Sequence, residues 1–319
     1  MAKKIAVIAI GGNSLIKSEK HVSVESQYQA AKETCYHIAD LIAEGYEVAV
    51  GHGNGPQVGF ILRRSEIAAK EGMHEVPLDV CGADSQGAIG YALQQNLQNI
   101  LYQRGIRKKV VTVITQTLVD REDPAFQHPS KPIGGFMTEE EAHRRQREQG
   151  WTVVEDAGRG WRRVVASPLP KEIVELETVE TLLKKGIVTI TVGGGGIPVI
   201  DPGDGNYEGI AAVIDKDYAS SLLAQALKAD IFIISTAVEK VAIHFGKPEQ
   251  QWLDCITLSD ARRYLAEGIH FAKGSMAPKI QAIVWYLENG GKKALITNPE
   301  NIGRALKGET GTWIVPDEA

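Results

Sequence analysis

The chain has 319 residues, 43% of them hydrophobic and 24% charged, with a formal net charge of −5. That length buries most of its apolar surface without covalent staples, and a mildly acidic balance argues against a broad nucleic-acid-binding face. Its three cysteines, Cys35, Cys81 and Cys255, are far apart with no Cys-x-x-Cys pair, which excludes a disulfide framework or a structural zinc site and leaves reduced thiols. Lys3-Lys4 precedes an apolar run that is too short for a signal peptide, and no stretch approaches membrane-spanning length. A cytoplasmic protein with no membrane partner is expected.

Residues 5–10 predict a buried strand, 27–44 a helix and 47–50 a second strand. Helices are expected over 57–70 and 85–104, and a strand over 109–115. Strand alternating with helix implies a parallel sheet covered on both faces. The pattern breaks at Asp120. Residues 120–167 are polar, with several prolines, a charged run at 138–149, and strand-like pieces at 151–155 and 161–166 around Gly158-Arg159-Gly160. An insertion of this length is usually functional or disordered. Its aromatic and β-branched content favours a small folded subdomain. The alternation resumes with a helix at 172–185, a strand at 187–192, a helix at 217–228 and a strand at 231–235. Helices at 258–267 and 277–289 and strands at 293–297 and 312–315 complete an α/β chain.

Three glycine clusters lie just past apolar strands: Gly11-Gly12-Asn13, Gly51-His52-Gly53-Asn54-Gly55 and Gly193-Gly194-Gly195-Gly196. In an open α/β sheet, ligands bind outside the carboxyl ends of the strands, where glycine lets backbone N–H groups approach an anion. One such cluster more often makes a turn than a site; three on one sheet edge point to an anion. No G-x-x-x-x-G-K-[ST] occurs, and no G-x-G-x-x-G follows the first strand, which sets aside a P-loop enzyme and a nicotinamide-binding domain. His52 reads as a loop histidine bonded to local backbone rather than an acid–base group.

Phosphoryl transfer needs positioning and cations that neutralise charge on the phosphoryl oxygens. Lys216, in Val213-Ile214-Asp215-Lys216-Asp217, sits at an expected helix start. It is either an exposed lysine beside a helix cap or a cation held in one direction by a neighbouring aspartate. Lys279 follows Pro278 in the first turn of another helix, with the same two readings. Lys131 lies in the insertion between Ser130 and Pro132, on backbone stiffened by prolines, as in a lid that reaches over a site. Arg159, Arg162 and Arg163 read equally as anion contacts or a solvated basic surface.

Together these segments resemble the carbamate kinases, a branch of the amino acid kinase family. The resemblance rests on Ile10–Leu15, His52–Gly59, Pro77–Gly82 with Ser85-Gln86-Gly87, Asp123–Phe126, Lys131–Gly134, Gly158–Val165, Gly193–Pro198, Ala212–Asp217, and Gly274-Ser275-Met276 with Pro278-Lys279. It implies an open three-layer αβα sandwich with a mainly parallel central sheet, two lobes and a small projecting subdomain. Residues 1–210, with the inserted subdomain at 120–167, would hold carbamate or carbamoyl phosphate, and 211–319 would hold ATP or ADP. Mg²⁺ would be held mainly by the nucleotide phosphates, with no dedicated metal ligands in the chain.

By the same resemblance Gly11, Gly12, Asn13, Gly53, Asn54 and Gly55, with Gly194 and Gly195, would line the substrate and phosphate site. Lys216 and Lys279 would stabilise the transferring phosphoryl group, Asp217 would orient both, and Lys131 would reach the substrate. Ala237, Val238 and Met276, with Lys279, would face the nucleotide. The implied activity is ATP plus carbamate in exchange with ADP plus carbamoyl phosphate, run toward ATP in arginine, agmatine or purine breakdown by a homodimer. The chain departs from the family pattern at Asp84, Gly135 and Lys273, none of which is a proposed catalytic group. An acetylglutamate or glutamate kinase is the enzymatic rival, disfavoured by the Lys131 motif. A non-catalytic nucleotide sensor is the other, disfavoured by Lys216, Asp217 and Lys279.

Overall fold

Along the Ile5–Ile10 strand, alternate side chains enter two different cores. Ala6, Ile8 and Ile10 join one apolar cluster, while Val7 and Ala9 join another. The Ile231–Ser235 strand divides in the same way, Ile231 and Ile233 on the first side and Phe232 and Ile234 on the second. A strand with two buried faces reads as an unbroken apolar run, which is why both strands were legible residue for residue. In the computed structural model, which describes residues 3–11, 15, 23–156, 158–272 and 274–317, helices cover both faces of the sheet. Val24–Ala43 and Leu78–Gln103 close the first core. Leu176–Lys184, Lys216–Ala226, Leu258–Glu267 and Met276–Glu288 close the second. The result is a three-layer αβα arrangement.

The central sheet has eight strands in the spatial order Cys255–Thr257, Thr312–Val315, Ala294–Thr297, Ile231–Ser235, Ile5–Ile10, Glu47–His52, Val188–Ile190 and Val110–Thr112. Every neighbouring pair is parallel except Ala294–Thr297 with Thr312–Val315. Ile5–Ile10 is hydrogen-bonded to Ile231–Ser235, so the sheet runs unbroken between residues 1–210 and 211–319. No helix among the described residues is long and apolar enough to cross a membrane.

A second sheet of Glu208–Gly209, Ile197–Ile200, Gln116–Val119 and Pro170–Ile173 was not expected. It corrects the helix read over 172–185, which starts only at Leu176. Pro170–Ile173 carries one buried apolar residue, too few for a strand period to show. The helix read from residue 85 begins at Leu78, after the extended Pro77.

Within the insertion, Lys131–Met137 pairs antiparallel with Trp161–Val165, which pairs with Thr152–Glu155. The charged run between them is a helix, Glu139–Gln149. Thr138 caps it by accepting from Glu141 N at 3.2 Å, and Gly150 ends it at a left-handed φ of 67°. Few apolar positions mark this helix, so its caps are the legible signal.

The insertion meets the main body where Gly59, on the Gln57–Ala69 helix, touches Gly134. A Cβ on Gly59 would lie 2.2 Å from the Gly134 backbone, so the two chains meet backbone to backbone. Gly59→Ala should therefore wedge the Lys131–Met137 strand off the helix. The expected loss is about 1–3 kcal/mol, the usual cost of overpacking, read as a lower urea midpoint; an unchanged midpoint would show that the contact gives way freely.

Candidate active site

Parallel register brings four strand ends to one level. Thr297 pairs with Ser235, Ser235 with Ile10, and Ile10 with His52. The next residue of each strand, Asn298, Thr236, Gly11 and Gly53, lines a cavity of about 1610 Å³. This is the crevice at the carboxyl ends of the strands where α/β sheets bind ligands. Asn54, Gly55, Gly194 and Ala237 also line it. Gly195, Val238 and Met276 lie outside its lining, and Gly12 and Asn13, like Lys273, lie outside the described residues.

Three glycines of these loops have their N–H groups bonded within the chain. The N–H groups of Gly11 and Gly53 donate to Ser235 O and Ile10 O, and that of Gly195 to Val192 O. These glycines therefore admit a ligand by lacking a side chain. Gly194 has φ +64°, and a Cβ there would sit 2.2 Å from Asn54 Nδ2, so only glycine lets this loop close over Asn54. Gln86 ties the loop down from below, donating to Gly193 O and Thr115 O at 3.0 Å each while accepting from Thr115 N at 2.8 Å. His52 is buried under the loop with Nδ1 2.9 Å from Gly53 O. Burial pushes its pKa down to about 4, so it stays neutral at pH 7.

The floor of the cavity carries the charge. Asp215 caps the Lys216–Ala226 helix, Oδ1 accepting from Asp217 N at 2.8 Å, and so sets Lys216 and Asp217 in the first turn. Lys216 Nζ donates to Asp217 Oδ1 at 2.5 Å, and Lys279 Nζ, arriving from the Met276–Glu288 helix, donates to Oδ2 at 2.9 Å. Lys131 descends from the insertion and donates to Asp215 Oδ2 at 2.6 Å. All four groups expected to act in catalysis thus meet at one wall, together with Asp215. Among these residues three ammonium groups face two carboxylates. The surplus positive charge, partly removed from water, is an anion site.

Burial works to raise the pKa of Asp217, but the charges of Lys216 and Lys279 outweigh it and hold the carboxyl below its usual range. Asp215 is depressed in the same way, burial opposed by Lys131 and then Lys216. Burial lowers Lys216 despite Asp217, whereas for Lys279 the pull of Asp217 overcomes burial and raises it. Two lysines on one carboxylate therefore differ: Lys279 is the firmly held cation and Lys216 the less stabilised one.

Of the three arginines read as anion contacts or surface, Arg159 and Arg162 line the cavity and Arg163 does not; sequence reading missed the partnership of Asp215 with Lys131, and the lining by Phe136 from the insertion and Asn298–Glu300 from a strand end. The rule that sites follow strand ends points to Asn298; nothing in the sequence points to Phe136.

The model described as the amino acid kinase family matches residues 4–298. The carbamate kinase-like protein YahI of Escherichia coli (strain K12) is 51% identical over 315 residues, covering 98% of this chain and 99% of that one. The carbamate kinase of Pyrococcus furiosus is 49% identical over 317 residues, covering 99% and 100%. The solved carbamate kinase from Giardia lamblia bound to AMP-PNP superposes with a TM-score of 0.91 at 40% identity, covering 99% of each chain.

Asp217→Asn should destabilise the protein by about 3–5 kcal/mol at pH 7, because two buried ammonium groups lose their counter-charge. A depressed carboxylate adds stability that is complete above its ordinary value of 3.8 and is lost as pH falls through the folded value. Urea unfolding should show the gap between parent and variant closing below that pH; a gap that stays constant would separate the destabilisation from the Asp217 charge.

Proposed function

Because this chain belongs to the amino acid kinase family, among its carbamate kinases and carbamate kinase-like members, we propose that it transfers a phosphoryl group between a nucleoside diphosphate and carbamate through the Lys216–Asp217–Lys279 site. The observation that carries the reading is that pair of lysines sharing one buried carboxylate at the cavity wall. A phosphoryl group in flight spreads negative charge over its equatorial oxygens, and a dry, fixed cation meets that charge without reorganising. Asp217 holds both ammonium groups in place before substrate arrives, so the entropy of aligning them is spent in folding.

The division of the cavity follows its lining. Carbamoyl phosphate would sit toward Gly53, Asn54 and Lys131, and the nucleotide toward Ala237, Ser275 and Lys279, the groups lining the opposite end of the chain. Lys131 would leave Asp215 to meet the carbamoyl phosphate. Residues 1–210 would then serve the small substrate and 211–319 the nucleotide. The described residues hold no group of three His, Cys, Asp or Glu that could bind a metal, and Asp215 and Asp217 are engaged by lysines. This donor set fits Mg²⁺ carried on nucleotide phosphates rather than in a protein cage. When bound, the ion supplies further positive charge to the phosphates. Carbamoyl phosphate is a mixed anhydride, so its transfer to ADP runs downhill, and we place the enzyme in the ATP-forming direction, as in arginine, agmatine or purine breakdown. A homodimer is the assembly we propose.

Purified protein should make ATP from ADP and carbamoyl phosphate with Mg²⁺, and should not phosphorylate acetylglutamate or glutamate at comparable rates. Activity no higher than a heat-killed control would end the kinase reading. Lys216→Ala should lower kcat by about 10²–10³-fold with little change in nucleotide affinity, because its charge acts in the transition state. Lys131→Ala should act on KM for carbamoyl phosphate; a change confined to ADP would move that lysine to the other substrate. In the parent, the alkaline limb of kcat should fall below the ordinary lysine value of 10.5, since burial lowers Lys216.

A further inference from the structure

Outside the cavity lining, one carboxylate on the Gln57–Ala69 helix faces three guanidinium groups. Glu66 Oε1 accepts from Arg163 Nη1 at 3.0 Å, and Oε2 accepts from Arg63 Nη1 at 3.2 Å. Arg145 Nη1 lies 3.7 Å from the same Oε2 while its Nε donates to Glu141 at 2.6 Å. Arg63 belongs to the helix that carries Glu66, but Arg145 and Arg163 belong to the insertion. Both insertion guanidiniums also lie over the Trp151 ring, 4.6 and 4.5 Å from its centroid. Trp151 cannot neutralise them; it only supplies its ring face. Burial lowers the pKa of the half-buried Arg163 against the pull of Glu66.

The path from this cluster to the cavity is short. Arg163 is the cross-strand partner of Ile133, and Lys131 is the partner of Val165, on the same antiparallel ladder. Ile133 and Val165 are seated in an apolar cluster with Val58, Leu78, Cys81 and Val213. The Lys131–Met137 strand is thus held to the main body by apolar contact near Lys131, by the Gly59–Gly134 approach and by the Lys131–Asp215 pair, and its partner strand is held by charge at Arg163. Apolar contact is non-directional and lets a strand slide; a charge-assisted hydrogen bond sets distance and angle.

We propose that Glu66 is a positioning residue: by drawing Arg163 and Arg145 onto the Gln57–Ala69 helix, it sets how far the Lys131–Met137 strand reaches over the cavity, and so where Lys131 meets the carbamoyl substrate. The proposal rests on the substrate assignment made above for Lys131. It gives Glu66 a role in substrate affinity rather than in the reaction itself.

The test uses the full chain with Glu66→Ala and, where that variant does not fold, Glu66→Gln, which keeps one acceptor oxygen. KM for carbamoyl phosphate should rise about tenfold, a coupling of ordinary size for contacting residues, while kcat and KM for ADP stay within about twofold. In a Lys131→Ala background the Glu66 substitution should add nothing further. A full additional loss in that background, or an equal rise in KM for ADP, overturns the proposal. Hydrogen exchange reads the same device without substrate: amides of Lys131–Met137 should exchange faster in the variant, while those of Ile231–Ser235 keep their rates. Equal rates in parent and variant overturn it regardless of activity. Absence of carbamoyl phosphate turnover in the parent would end the functional reading while leaving the exchange result to judge the clamp.

Discussion

Two ammonium groups share one carboxylate where the first turn of Lys216–Ala226 meets the first turn of Met276–Glu288, and the cavity is arranged around keeping that contact dry and fixed. A carboxylate this buried is unfavourable alone, and so is either lysine. Each is tolerated because the others are present, which makes the arrangement a constraint on both helices rather than a decoration of one. The two helices pack in the second core, so the geometry of the charges is inherited from apolar packing well away from them. The surplus ammonium is then available to an incoming anion without further movement.

Asp215 has two duties that tie the insertion to this centre. Its Oδ1 closes the helix start by accepting from Asp217 N, and its Oδ2 receives Lys131. A single residue thus links the start of the Lys216–Ala226 helix to the resting place of a lysine from another part of the chain. Besides the apolar cluster around Ile133 and Val165, the insertion relies on local devices: the Thr138 and Gly150 caps, the Gly59 and Gly134 approach, and the Glu66 pairings. Directional contacts of this kind set distance and angle as well as proximity.

Legibility in the sequence tracked burial. Ile5–Ile10, Ile231–Ser235, Thr312–Val315 and Leu258–Glu267 were readable to their end residues because buried strands and a capped amphipathic helix leave strong periods. Pro170–Ile173 and Gln116–Val119 were not, since four-residue strands in a small second sheet carry too few apolar positions to set a period. The charged helix Glu139–Gln149 showed its composition but not its fold. In the site, the glycine loops were visible as loops, but not which of their N–H groups are bonded within the chain. Glycines taken as backbone donors proved to have their N–H groups bonded within the chain at Gly11, Gly53 and Gly195.

By itself the sequence determined the α/β class, the break at residue 120, the strand ends that line the cavity, and the residue types suited to a phosphoryl anion. These follow from local pattern, which a chain carries in its order of residues. Tertiary structure alone decided that Lys216 and Lys279 share Asp217 across 62 positions, that Lys131 answers to Asp215 across 84, and that Glu66 faces Arg163 across 97. Pairings at such separations depend on which helix lies beside which strand. That is settled when two apolar cores close on one sheet, and no local period encodes it.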